Sequence, residues 1–139
     1  PDCQAVGVVG FCYGAWNAAR AVALSNNDNN NGKIKACVGI HPSWHVEKVM
    51  GGTEEELAAS LKTTPILLCV AGNDAVKLGT TVAAVLANQR DTTEDKVIVE
   101  FNDMVHGFVP RGDANDPKTK ECQDKVMDLT VTFLKEHLF

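Results

Sequence analysis

Short runs of small and β-branched residues recur along the chain, and turn-forming residues interrupt them. Gln4–Val9, Ile34–Ile40 (IKACVGI), Ile66–Ala71 (ILLCVA) and Lys96–Phe101 (KVIVEF) are largely apolar and of strand length. Between them the apolar positions change to helical spacing. Ala15–Leu24 is rich in alanine. A helix from Thr53 to about Leu61 opens with a threonine cap and an acidic first turn, Glu54-Glu55-Glu56, and Thr64-Pro65 ends it. Gly79–Gln89 carries Val82, Val85 and Leu86 on one face, and Lys118–Leu138 carries Val126, Leu129, Phe133 and Leu134. The polar, low-complexity stretch Asn26–Gly32 predicts a solvated surface loop.

The order is therefore β-α-β-α-β-α-β-loop-α, and strands alternating with helices predict a parallel sheet joined by right-handed crossovers. Strands apolar along their length predict helices on both faces. No internal repeat or linker divides the chain, so residues 1–139 are expected to belong to one domain. The chain carries 13 Lys+Arg against 18 Asp+Glu, a net charge of −5. That balance argues against a nucleic-acid or anionic-membrane partner, which favours clustered basic residues. The apolar runs are strand-sized, so none is expected to span a membrane. The five cysteines form no CxxC pair and suit a reducing compartment, which makes the cytoplasm the expected location. Cys37 and Cys69 lie inside strand-like runs and are expected to be buried small hydrophobes; Cys3 and Cys122 gain no role.

Gly10-Phe11-Cys12-Tyr13-Gly14 stands between the first strand and the first helix. This is the context of a nucleophile elbow, G-x-S-x-G, with cysteine in the serine position. A sharp turn there projects one side chain at the sheet edge, over a helix N-terminus whose partial charge favours a thiolate. The flanking glycines are expected to remove Cβ clashes, and the Tyr13 N–H would supply one oxyanion donor. Alone, the motif equally describes a glycine-rich turn with a buried cysteine. Two further residues change the balance: Asp74 follows the third strand and His106 follows the fourth. Nucleophile, acid and histidine come in the α/β-hydrolase order, each after a strand, and parallel strands bring all three to one sheet edge. Cys12 is the expected nucleophile, His106 the proton carrier, and Asp74 the group that orients the imidazole. His41 and His45 are four residues apart, but Pro42 opposes a helix between them and no third ligand is evident, so no metal is expected.

Gly10-Phe-Cys-Tyr-Gly14, Ala71-Gly-Asn-Asp74 and Val105-His-Gly-Phe108 together resemble the dienelactone hydrolase family of α/β hydrolases. The run from His106 to Asp113, the long final helix and His41-Pro42-Ser43 are also similar to the family. The resemblance implies hydrolysis of a small ester, lactone or thioester by a Cys-Asp-His triad, without a cofactor. It offers Arg111 as a contact for a substrate carboxylate. Trp44 is a candidate for the pocket rim or for simple packing. Ala15 stands where many members have a further glycine. Several strands precede the elbow strand in this family, whereas here about five residues do, and the chain begins at Pro1. The chain is thus expected to be the C-terminal portion of a domain of roughly 200–250 residues, its N-terminal strands absent, with a companion fragment or partner chain completing the sheet. A catalytically inactive module kept for binding or assembly is the alternative, and a redox-sensing thiol at Cys12 is a third reading.

Overall fold

The structure, a computed structural model, describes residues 5–27 and 33–139. Four strands, β1 (Val6–Phe11), β2 (Ile34–Ile40), β3 (Ile66–Ala71) and β4 (Ile98–Phe101), form one parallel sheet in sequential order. Val8 pairs with Cys37, Cys37 with Ile66, and Leu68 with Ile98. The helices are α1 (Tyr13–Asn27), α2 (Val46–Val49), α3 (Glu54–Ser60), α4 (Thr81–Asn88), α5 (Glu94–Val97), α6 (Phe108–Arg111) and α7 (Pro117–Leu138).

Sequential strand order with right-handed crossovers places every connecting helix on the same side. Accordingly, α1, α3 and α4 pack on one face against Cys37, Ile66, Leu68, Val70 and Ile98. Helix α7 follows the last strand and returns across the other face, over Val38, Ile40, Leu67, Cys69, Ala71 and Phe101. Consecutive residues of β3 thus feed opposite cores, which explains its lack of polar positions. Fully buried side chains such as Leu57, Leu61, Leu68 and Leu86 anchor the first core, each contributing about 1.5–3 kcal/mol of transfer free energy. Along β1, Val6, Val9 and Phe11 remain exposed.

The predicted α/β architecture stands, with shifts at element ends. Pairing of β1 with β2 continues to Phe11, so Gly10 and Phe11 belong to the strand and the turn contracts to Cys12. Asn26 and Asn27 extend α1 instead of opening a loop, because the Asn26 side-chain amide donates to Leu61 O at 2.9 Å and Ser60 O at 3.4 Å. Residues 28–32 of the expected loop, and Gln4 of the expected strand, lie outside the described residues. Lys96 and Val97 close a helical turn before β4. Thr53 caps α3 as expected, in a reciprocal capping box with Glu56. No helix among the described residues is long and apolar enough to cross a membrane.

Candidate active site

The C-terminal ends of the strands gather the site. Cys12 follows β1 with φ of 51°, a left-handed conformation that costs a non-glycine residue about 1–3 kcal/mol. Three backbone hydrogen bonds hold it there. Its N–H donates to Ile40 O at 3.1 Å, and its carbonyl accepts from Ala15 N and Ser43 N at 3.1 Å each. The two glycines of the motif differ. A Cβ on Gly10 would lie 2.1 Å from Gly14 O, because the helix start doubles back over the strand end. A Cβ on Gly14 would meet nothing within 4 Å, so only Gly10 is sterically required. Tyr13 is the first helical residue, and its N–H has no intrahelical acceptor. Its ring is exposed and stacks at a tilt on Trp16, with centroids 5.2 Å apart.

Asp74 is buried and doubly anchored: Oδ2 accepts from Ala71 N at 2.7 Å, and Oδ1 lies 2.6 Å from His106 Nδ1. The carboxylate assigns the proton to Nδ1 of the neutral ring, leaving Nε2 as the acceptor. Asn73 Oδ1 takes the His106 backbone N–H at 2.7 Å, so adjacent residues of one turn fix both the main chain and the ring of His106. Ser43 Oγ lies 3.4 Å from His106 Nε2.

The nearest imidazole hydrogen-bonded to the thiol is not His106. Cys12 Sγ lies 3.2 Å from His41 Nδ1. His41 follows β2 directly, is fully buried, and is itself left-handed at φ 37°. Its backbone N–H donates to Cys69 O at 2.7 Å, and its ring packs edge-on to those of His106 and Phe108, with centroids 5.0 and 5.8 Å away. Nε2 of His41 is buried without a hydrogen-bond partner among the described residues. Burial, reinforced by the neighbouring His106, lowers the His41 pKa to about 4, so this ring is neutral across the neutral range. Cys12, His41 and His106 each offer a donor atom within 4.8 Å of the other two. His41 and Ser43 are the residues the site reading missed. Their signal was the His-Pro-Ser break immediately after a parallel strand, which places them on the same sheet edge.

Arg111 is exposed in α6 and lines, with His106 and Gly107, a cavity of about 300 Å³. Its guanidinium occupies the space that a Cβ on Gly107 would need, 2.1 Å from that position. Trp44 does not reach a pocket rim. It is 1% exposed, packs in the α1–α3 core, and its indole N–H donates to Ala15 O at 3.3 Å. The side chain turns inward because the chain enters a helical turn at Trp44, fixed by Glu47 N donating to Trp44 O. A larger cavity of about 520 Å³ opens beside Pro65, Ile66 and Arg90, at the opposite ends of the strands, and no candidate site residue lines it. Cys37 and Cys69 are buried as expected, and burial pushes each thiol up to about 12.

No curated protein and no solved structure matches the chain. The model of the dienelactone hydrolase family matches residues 1–138, with the elbow, the Asp74 turn and the His106 loop all inside the match, and the chain belongs to that family.

Proposed function

We propose that the protein is a cysteine-dependent hydrolase of a small ester, lactone or thioester. The observation that carries the reading is the convergence at one sheet edge. A left-handed cysteine stands at a strand–helix elbow, its sulfur within 4.8 Å of a nitrogen of His106, which a buried carboxylate holds at 2.6 Å. In the proposed reaction the Cys12 sulfur attacks the carbonyl carbon and its proton passes to His106 Nε2. The Tyr13 N–H donates to the oxyanion that forms. Collapse breaks the carbonyl carbon's bond to the leaving oxygen or sulfur, which takes the proton from His106 and departs as an alcohol or thiol; a lactone opens and stays attached. Water then attacks the acyl–Cys12 thioester and gives a proton to His106. The acid leaves and the Cys12 thiol is restored. Asp74 keeps Nδ1 protonated and supports the imidazolium formed in each half. Arg111, which makes no ion pair among the described residues and shares a cavity with His106, is proposed to bind a carboxylate on the substrate.

Hydrolysis of p-nitrophenyl acetate by the chain and by its Cys12→Ala variant tests the reading. Turnover with an acyl–Cys12 adduct in the mass spectrum is expected for the parent only. Equal turnover by the two proteins would sink it.

A further inference from the structure

We propose that Cys12, His41 and His106 form a reversible site for a thiophilic divalent cation of the zinc class, which blocks the nucleophile when bound. The three donors come from three separate segments, the ends of β1 and β2 and the loop after β4, and lie within 4.8 Å of one another. Tetrahedral zinc, with Zn–S of about 2.3 Å and Zn–N of about 2.0–2.1 Å, holds such donors roughly 3.3–3.6 Å apart. The Cys12–His41 pair, at 3.2 Å, falls slightly short of that span and opens a little to admit the metal. His106, part-exposed on its loop, closes the remainder by a movement of at most about 1.2–1.5 Å, the difference between the 4.8 Å limit and these zinc donor spacings.

The surroundings of His106 are those of a metal ligand. Asp74 holds Nδ1 at 2.6 Å and leaves Nε2 as the acceptor, where a metal would displace the Ser43 hydroxyl 3.4 Å away; this is the carboxylate–histidine arrangement that orients a ligating imidazole. Asp74 is in turn fixed by Ala71 N. His41 is buried with Nδ1 3.2 Å from the sulfur, so a small turn of its ring, moving the lone pair off the sulfur onto the shared metal, lets it ligate. Its Nε2, however, has no acceptor among the described residues, a deficit that makes the site a weak inhibitory one and not a structural zinc site. Cys12 and His106 are both partly exposed, which supplies an entry path and an open fourth position for water. Binding displaces the thiol proton to solvent and draws the sulfur's charge onto the metal, which lowers its nucleophilicity.

The test needs no substrate and therefore stands apart from the hydrolase reading. The full chain is treated with iodoacetamide while Zn²⁺ is titrated, and alkylation is followed at each cysteine by peptide mass spectrometry. Zn²⁺ is expected to protect Cys12 but not Cys122, with reversal by EDTA and no effect of Mg²⁺. Asp74→Asn, which removes no ligand, is expected to raise the protecting zinc concentration by about 10–100-fold, and His41→Asn by at least as much. Co²⁺ is expected to give a thiolate-to-metal charge-transfer band that Cys12→Ser abolishes. Because His41 is buried, His106→Gln, at a part-exposed position, serves as a second ligand variant, with circular dichroism confirming its fold. Absence of protection overturns the proposal. So does protection of equal strength in the parent, Asp74→Asn and His106→Gln proteins, which would mean zinc on the sulfur alone.

Discussion

Burying a histidine that must stay neutral makes stability depend on pH, and His41 allows the effect to be sized. Its pKa falls from the ordinary 6.5 to about 4 in the folded chain, first through burial and then through the adjacent His106. Between those values the unfolded chain binds a proton that the folded chain refuses. Stability is therefore complete above about pH 6.5, declines as the pH falls toward about 4, and is constant below that as far as this group is concerned. At 1.36 kcal/mol per pH unit, the loss between pH 7 and pH 5 is about 2 kcal/mol, approaching about 3 kcal/mol at the plateau. Urea unfolding at pH 7 and pH 5, on the parent and on His41→Asn, isolates the contribution. Asparagine tolerates the left-handed backbone at this position and does not titrate. Hydrogen bonds from Lys118 and the Thr119 side chain and backbone depress the carboxyls of Asp103 and Asp116, but those groups are common to both proteins and cancel in the difference. The variant is expected to lose about 2 kcal/mol less than the parent over this interval. An identical loss in both would refute the assignment of a neutral, desolvated ring at position 41.

The elbow makes a paired prediction. Gly10→Ala places a methyl 2.1 Å from Gly14 O and should cost about 1–3 kcal/mol or more in thermal or urea unfolding. Gly14→Ala lies in open space on the first turn of α1 and should be neutral or stabilising by about 0.5–1 kcal/mol. In native protein at pH 8, Cys12 should alkylate while Cys37 and Cys69, held near 12, stay unmodified until the chain unfolds; peptide mass spectrometry reads all three. Asp74→Asn should retain the fold and lower the rate of ester hydrolysis by roughly 10³–10⁴-fold, since the amide no longer holds the proton on Nδ1 of His106. Steady-state kinetics checks this, and a loss below tenfold would remove Asp74 from the mechanism.

Parallel topology explains both what the sequence disclosed and what it hid. A parallel sheet sends every strand's C-terminal end to one edge, so residues distant in the chain are neighbours if each directly follows a strand. Cys12, Asp74 and His106 were legible by that rule, and the Thr53–Glu56 capping box by purely local chemistry. His41 meets the same rule, coming directly after Ile40. Spacing along the chain pairs it with His45, whereas its partners lie across the sheet at Cys12 and His106. Its left-handed backbone carries no sequence signal, because nothing about a histidine requires φ of 37°. Pairing with β3 imposes it, through the hydrogen bond from His41 N to Cys69 O. Trp44, for which the sequence left pocket rim and packing equally open, is decided by the structure: proximity to the site in sequence says nothing of direction, and one helical turn sends its indole to Ala15 O in the core. Cys12 and His41 are thus two strained residues at adjacent strand ends whose side chains meet at 3.2 Å. Strain of about 1–3 kcal/mol at each persists only where the surrounding structure over-determines it. Here the hydrogen bonds from Cys12 N to Ile40 O and from Ser43 N to Cys12 O lock the two turns together. Moving Cys12 therefore means moving His41, and a substitution at either residue should be felt in the reactivity of the other.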